Sequence, residues 1–314
     1  MLAKSLRKGD TIGIIAPSNK ITQDNKYLLD NAIKKFESLW LKVVYSKNCF
    51  NFDKYNVSGG EPQERADDLN EMFLNPQIKA IYCAQGWDTV NQILSLIDYE
   101  LIKKNPKILL WMSDIDVLHL AINKKTGLIV FHGSDPKSGR DLDLDFEYTW
   151  TSFQDRMMHR SKEIPASSER KCVRKGIAEG KIIWCNLSSI LKLAGTPYFP
   201  DFQNSILFLE GYSENTKKAI AKLQQLKEIG VFDKIKWIVI GYVLGFQDKD
   251  WIKENNIESN YEDIVLDITK DYNFPILKTN DFGHKCPNCY LPIWAKIKLD
   301  AQEKEITIIE DFLI

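Results

Sequence analysis

Apolar residues gather along this chain in short blocks, and the clearest spans residues 107–123, KILLWMSDIDVLHLAIN. Residues 108–111 form an unbroken apolar run after Pro106, the pattern of a strand buried on both faces. Ile115, Leu118, His119 and Ile122 follow, with Val117, Leu120 and Ala121 between them, which predicts a mostly buried helix. Ser113 and Asp114 stand at the junction. A serine on a sharp strand-to-helix turn projects its hydroxyl at the carboxyl edge of a sheet. The unpaired, partly positive amides of the first helical turn lie beside it. Such a place suits a nucleophile and an oxyanion; it equally suits Ser113 or Asp114 as a plain helix N-cap.

The same pattern predicts strands at 11–16, 41–45, 80–84 and 128–131 and helices at 23–39, 62–74 and 89–97. Leu28, Leu29, Ala32, Ile33 and Phe36 share one face of the first helix. The second opens with Pro62 followed by acids, as helix N-termini do. Strand and helix alternate, so the first half reads as a parallel, three-layer α/β domain. Ligands of such sheets bind beyond the carboxyl ends of the strands, which gathers Pro17, Ser18, Gln85, Gly86, Trp87, Ser113 and His132 around one crevice. From about 150 to 174 the chain turns polar and charged, the mark of a short helix and a linker. Beyond it, short strands are expected at 176–183, 205–209, 237–241 and 295–299. Helices are expected at 217–229, closed by Gly230, and at 261–269. The domains expected are 1–150, carrying the serine turn, a linker at 151–171, and a β-rich α+β domain at 172–314.

Composition narrows the class. A hydrophobic fraction of 44% and a charged fraction of 27% belong to a globular chain, and a formal net charge of −1 argues against a nucleic-acid partner. The apolar run at 12–16 is a strand length followed by Pro17, so no signal peptide and no membrane span is expected. Cys49, Cys83, Cys172, Cys185, Cys286 and Cys289 are scattered as reduced cysteines of a cytoplasmic protein would be. Cys286 and Cys289 form half a zinc knuckle, but no second pair has ligand spacing and the motif does not open a helix after a strand, so neither metal nor redox chemistry is expected of it.

Three constellations carry candidate chemistry: Ser113 at its turn, Glu210 at the end of the apolar run Leu-Phe-Leu-Glu, and His284 in the turn-rich segment Asp-Phe-Gly-His-Lys-Cys-Pro-Asn. Serine needs a base to attack at neutral pH, and the base needs an orienting acid. Ser113, His284 and Glu210 supply these roles, although spacing alone does not bring them together. His119 reads as a packing residue and His159 as solvated.

Nearly end to end the chain resembles the LD-carboxypeptidase family of serine peptidases, which includes the microcin C self-immunity peptidases. The likeness lies in KGDTIGIIAPS, GGEPQERADDLNEMF, SDIDVLHLAINKKTGLIVFHG, NLSSILKLAGTPYFPD, ILFLE and FGHKCPN. The family's Gly-Tyr-Ser-Asp nucleophile motif falls on Trp111-Met112-Ser113-Asp114, its acid on Glu210 and its base on His284. The resemblance implies a Ser-Glu-His triad and acyl transfer without metal or organic cofactor. It implies a flavodoxin-like, glutamine-amidotransferase-like N-terminal domain, a β-rich C-terminal domain and a homodimer. Oxyanion donors would come from the backbone of Asp114 and of Gly86 or Trp87, one such donor being worth about 3 kcal/mol. The implied substrate is a small modified peptide: a murein tetrapeptide cut at its L,D bond, or a peptidyl-nucleotide. A non-enzymatic binding module is the third reading, and an occluded Ser113 would mark it.

One departure is systematic. Tryptophan stands where similar proteins have glycine at Trp87, Trp111, Trp184 and Trp294, and Trp40 and Trp237 fit the same pattern. Sixteen glycines in 314 residues is about 5%, and six more would restore the usual share of about 7%. Two readings follow: UGA codons that mean glycine, or true tryptophans that fill the cleft of an impaired or retargeted member.

Overall fold

The computed structural model describes residues 1–139 and 143–314, without the side chains of Asp143 and Cys185. Its first half alternates as the apolar blocks require: β1 (Thr11–Ile15), α1 (Gln23–Ser38), β2 (Lys42–Tyr45), α2 (Pro62–Leu74), β3 (Ile78–Cys83), α3 (Tyr99–Lys104), β4 (Ile108–Trp111), α4 (Ile115–Thr126) and β5 (Val130–His132). Between β3 and α3 the predicted helix is a 3₁₀ turn, Val90–Leu96. These five strands lie in the order β2-β1-β3-β4-β5, all parallel, the flavodoxin-like order whose ligand crevice opens at the carboxyl ends of the strands. Every residue of β4 is buried, as an apolar run between two helical layers must be.

The second half holds α5 (Glu147–Met157), β6 (Lys171–Arg174), β7 (Ile177–Asn186), α6 (Leu187–Lys192), β8 (Ser205–Gly211), α7 (Thr216–Glu228), β9 (Trp237–Val243), α8 (Lys249–Glu254), α9 (Tyr261–Ile268), β10 (Ile276–Gly283), β11 (Leu291–Ile293), β12 (Lys296–Asp300) and β13 (Glu305–Ile308). A mixed seven-stranded sheet runs β13-β12-β7-β8-β9-β10-β6. Strand β11 leaves this sheet and pairs antiparallel with β5, Leu291 opposite His132 and Ile293 opposite Val130. The first sheet is therefore not wholly parallel: its sixth strand is antiparallel and comes from the far end of the chain. Pro292 lies in it without cost, because an edge strand tolerates a missing N–H. One apolar core runs through both sheets, from Ile12 and Phe36 to Ile240 and Leu299.

Two features carry the second sheet up to the crevice. The parallel pairing of β7 and β8 sets Asn186 beside Glu210. Strand β10 ends at Gly283, one residue before His284. Its last residues are fixed by a buried ion pair, Arg170 Nε to Asp281 Oδ2 at 2.7 Å, in which both side chains are almost fully enclosed. Among the described residues no helix is long and apolar enough to cross a membrane.

Candidate active site

The turn between β4 and α4 is as sharp as the sequence required. Ser113 holds φ +62°, a left-handed conformation unusual for serine, and the first helical bonds close around it, Asp116 N–H to Ser113 O at 3.0 Å. The capping alternative does not hold for Asp114, which occupies the N-cap position without a side-chain cap bond. Its buried carboxylate instead accepts from Ser18 Oγ at 2.6 Å, the Val90 amide at 3.0 Å and Lys192 Nζ at 2.7 Å. Asp114 thus ties the loops after β1 and β3 to helix α6, and Ser18 serves it from below rather than lining the crevice. Burial alone would lower the Lys192 pKa, but the charge and hydrogen bond of Asp114 outweigh it and raise the ammonium above its ordinary value.

Ser113 opens into a cleft of about 510 Å³ whose walls include Gly86, Trp87, Asn186, Lys192, Tyr212, His284 and Lys285. Residues from the loops after β3 and β4 and from the ends of β7, β8 and β10 therefore meet in one cavity. Glu210, fully buried at the end of β8, accepts from His284 Nδ1 at 2.7 Å through Oε2. An ionised carboxylate only accepts, so the proton of this bond sits on Nδ1 and Nε2 carries the basic lone pair. Asn186 Nδ2 donates to the other carboxylate oxygen at 2.6 Å, and the Tyr212 ring packs on the imidazole, centroids 4.9 Å apart.

Beneath Glu210 lies a second carboxyl, Asp116, on α4. Burial first, and then the charge of Glu210, push its pKa well above the carboxylate range, which favours the neutral acid. The Asn186 amide donates to its Oδ2 at 3.4 Å. His119, one turn on, is fully buried, and burial lowers its pKa to about 3, so it is a neutral core residue; His159 is exposed. His132 lies under the crevice, buried, rather than at its edge. Cys289 is likewise enclosed, its thiol pushed up to about 12 by burial and then by Asp281. A thiol held so far from ionisation is a poor nucleophile and metal ligand.

Asn186, Asp116, Lys192 and Tyr212 were not singled out from the sequence. Asn186 had a legible signal: it precedes Leu-Ser-Ser, and its side chain caps α6 by accepting from the Ser189 amide. Its bond to Glu210 depends on strand register, which the sequence does not print.

A serine on a strained strand-to-helix turn, in one cleft with a carboxylate-bound histidine, is the architecture of a serine hydrolase. The chain matches the family models of the LD-carboxypeptidase N-terminal domain over residues 12–133 and the LD-carboxypeptidase C-terminal domain over residues 179–299, and it belongs to that family of serine-type carboxypeptidases. It is 32% identical to a probable murein peptide carboxypeptidase of Bacillus subtilis, over 97% of this chain and 93% of that one. It is 28% identical to the microcin C7 self-immunity protein MccF of Escherichia coli, over 100% and 97%. A solved structure of that self-immunity protein in complex with aspartyl sulfamoyl adenosine superposes with a TM-score of 0.87 at 25% identity, covering each chain fully.

Proposed function

We propose that the protein is a peptidase with a Ser113-His284-Glu210 triad that releases the C-terminal D-residue of murein-derived tetrapeptides. The observation that carries the reading is the joint placement of Ser113 and His284 in one cleft, with Glu210 fixed on the imidazole from behind. His284 Nε2 takes the Ser113 proton as Oγ attacks the scissile carbonyl, and Glu210 orients and stabilises the imidazolium. The tetrahedral oxyanion is held by the backbone amides of Asp114 and of the turn at Gly86 and residue 87. His284 then protonates the leaving amine, and water releases the acyl group. No cofactor enters these steps. Lys285 in the cleft wall suits a substrate carboxylate, whereas Lys192 beside it is already paired with Asp114 and Asp88.

A second reading rests on Tyr212, which faces the same cleft: an aromatic platform beside the catalytic histidine suits a purine, and a peptidyl-nucleotide like the ligand of the self-immunity protein would then be the substrate. The two separate on a pair of assays. Release of D-alanine from a murein tetrapeptide, with aspartyl sulfamoyl adenosine left intact, supports the first; the reverse pattern replaces it with the second. Either substrate belongs to the cytoplasm, and the active form is taken to be a homodimer. Light scattering of the purified chain at the mass of two copies agrees with the dimer, and at the mass of one contradicts it.

A further inference from the structure

The chain has eight tryptophans, and two of them sit as tryptophans do. Trp150, on α5, stacks on Phe153 at 5.6 Å with planes 5° apart and has Lys35 Nζ 5.6 Å from its ring. Trp251, on α8, donates its indole N–H to the Glu214 carbonyl at 2.9 Å. The other six sit where the backbone or the packing disfavours a large side chain, although Lys8 Nζ lies 5.9 Å from the Trp40 ring and Lys181 Nζ 5.2 Å from that of Trp294.

Three of them hold a positive φ: Trp40 at +63°, Trp87 at +125° and Trp294 at +80°. The remaining described non-glycine residues with positive φ are all Asn, Ser, Lys or Arg; for a bulky aromatic this region is a true outlier. Trp40 shows what the fold wants. At the end of α1 its N–H bonds Glu37 O at 2.9 Å, and the Leu41 N–H bonds Phe36 O at 3.2 Å. At the end of α7 the same two bonds recur around Gly230, from Gly230 N–H to Lys227 O and from Val231 N–H to Leu226 O, each 3.0 Å. This double-bonded helix ending places its left-handed residue at C′, where glycine is the usual occupant. One helix has glycine there and the other has tryptophan.

The other three, Trp111, Trp184 and Trp237, lie buried in β4, β7 and β9, and none of their indole N–H groups meets an acceptor. Buried indoles normally find one. The Trp111 ring lies so close over Gly86 that a Cβ on that glycine would come within 2.0 Å of it. The Trp184 ring is pressed onto His132 with centroids 3.4 Å apart, shorter than the 4.5–7 Å usual for aromatic pairs. Its N–H points towards the buried Asp116 carboxyl without reaching hydrogen-bond geometry.

Alanine would relieve the three strand positions but not the three positive φ values; glycine alone relieves all six. Six independent substitutions by the same, largest residue are not a packing solution, whereas one misread codon produces them together. We infer that the native polypeptide carries glycine at positions 40, 87, 111, 184, 237 and 294, encoded by UGA read as glycine, while Trp150 and Trp251 are encoded by UGG. The consequence falls on the cleft. Two indoles leave its walls, at 87 and 111, which deepens it toward Gly86 and bares the backbone amides of residues 86 and 87. A third leaves the space between His132 and Asp116, where a water could bridge Asp116 Oδ1 and His119 Nδ1, which lie 3.9 Å apart without a hydrogen bond.

The test reads the eight codons in the gene and the masses of the tryptic peptides of the protein isolated from its natural source. UGA at the six positions with glycine-mass peptides, and UGG at 150 and 251, is the expected result. UGG with tryptophan-mass peptides at the six overturns it. In a second measurement, the chain as written is compared with one carrying Trp40→Gly, Trp87→Gly, Trp111→Gly, Trp184→Gly, Trp237→Gly and Trp294→Gly. The six-glycine chain is expected to melt roughly 10 °C or more higher, as for several removed strains in one domain, whereas Trp150→Gly lowers the melting temperature. An equal or lower melting temperature for the six-glycine chain contradicts the inference. Neither readout uses activity, so the inference stands or falls apart from the proposed reaction.

Discussion

At the scale of single residues, the proposed chemistry depends on a few side chains whose partners leave them one role. Glu210 has an oxygen committed to His284 and another to Asn186. Glu210→Gln keeps the shape but places an amide against the imidazole and favours the wrong tautomer, so kcat should fall by about 10³- to 10⁴-fold with little change in KM. Asn186→Ala frees one carboxylate oxygen and removes the cap of α6; steady-state kinetics should show a loss of roughly 10-fold in kcat, since positioning rather than chemistry is lost. Asp116 gives a pH signature in stability. Its folded pKa is raised, so the native state binds the proton more tightly than the unfolded chain does. Stability from this group is full below the unfolded value of about 4 and declines as pH rises through the interval up to the folded pKa. Asp116→Asn cannot titrate, so urea midpoints of parent and variant should diverge in the variant's favour from about pH 4 towards neutrality; parallel curves would refute the raised pKa.

At the scale of elements, the sequence disclosed the first half better than the second. Periodicity placed β1, α1, α2, β4 and α4 to within a residue or two because each is a clean apolar block. Strand β10 is missing from the expected strands, and its last residues fall in the segment expected to be turn-rich; Lys278, Asn280 and Asp281 interrupt its apolar pattern. Those polar residues are satisfied in three dimensions: Asp281 by Arg170, and Lys278 by the Gly241 carbonyl and Asn280. Long-range pairing of that kind leaves no mark in a local pattern. The Ser113 turn was legible as a place for a nucleophile, but Glu210 and His284 became its partners only through the family resemblance, because β8 and β10 lie far from β4 in the chain. Since Asp281 anchors β10 three residues before His284, Asp281→Ala would leave the buried Arg170 charge unpaired, at a cost of about 3–5 kcal/mol by denaturant titration.

At the scale of the whole molecule, the two sheets are interlocked rather than merely adjacent. Residues before 150 supply Ser113 and residues after 172 supply Glu210 and His284, while β11 returns from the second half to close the first sheet against β5. A cleft assembled from both halves needs them held at fixed distance, and a shared strand does this more firmly than a linker. Thermal unfolding followed by near- and far-ultraviolet circular dichroism should therefore show one coincident transition; two separated transitions would mean that β11 does not couple the halves.

The proposed peptidase uses Ser113 as its nucleophile in a cleft lined by glycine at 87 and 111. The most direct measurement is D-alanine release from a murein tetrapeptide by the six-glycine chain, with and without Ser113→Ala. Steady release that falls by about 10³-fold or more in the Ser113→Ala chain, with its melting temperature unchanged, is the result predicted. Equal release by the two chains would contradict the catalytic role of Ser113.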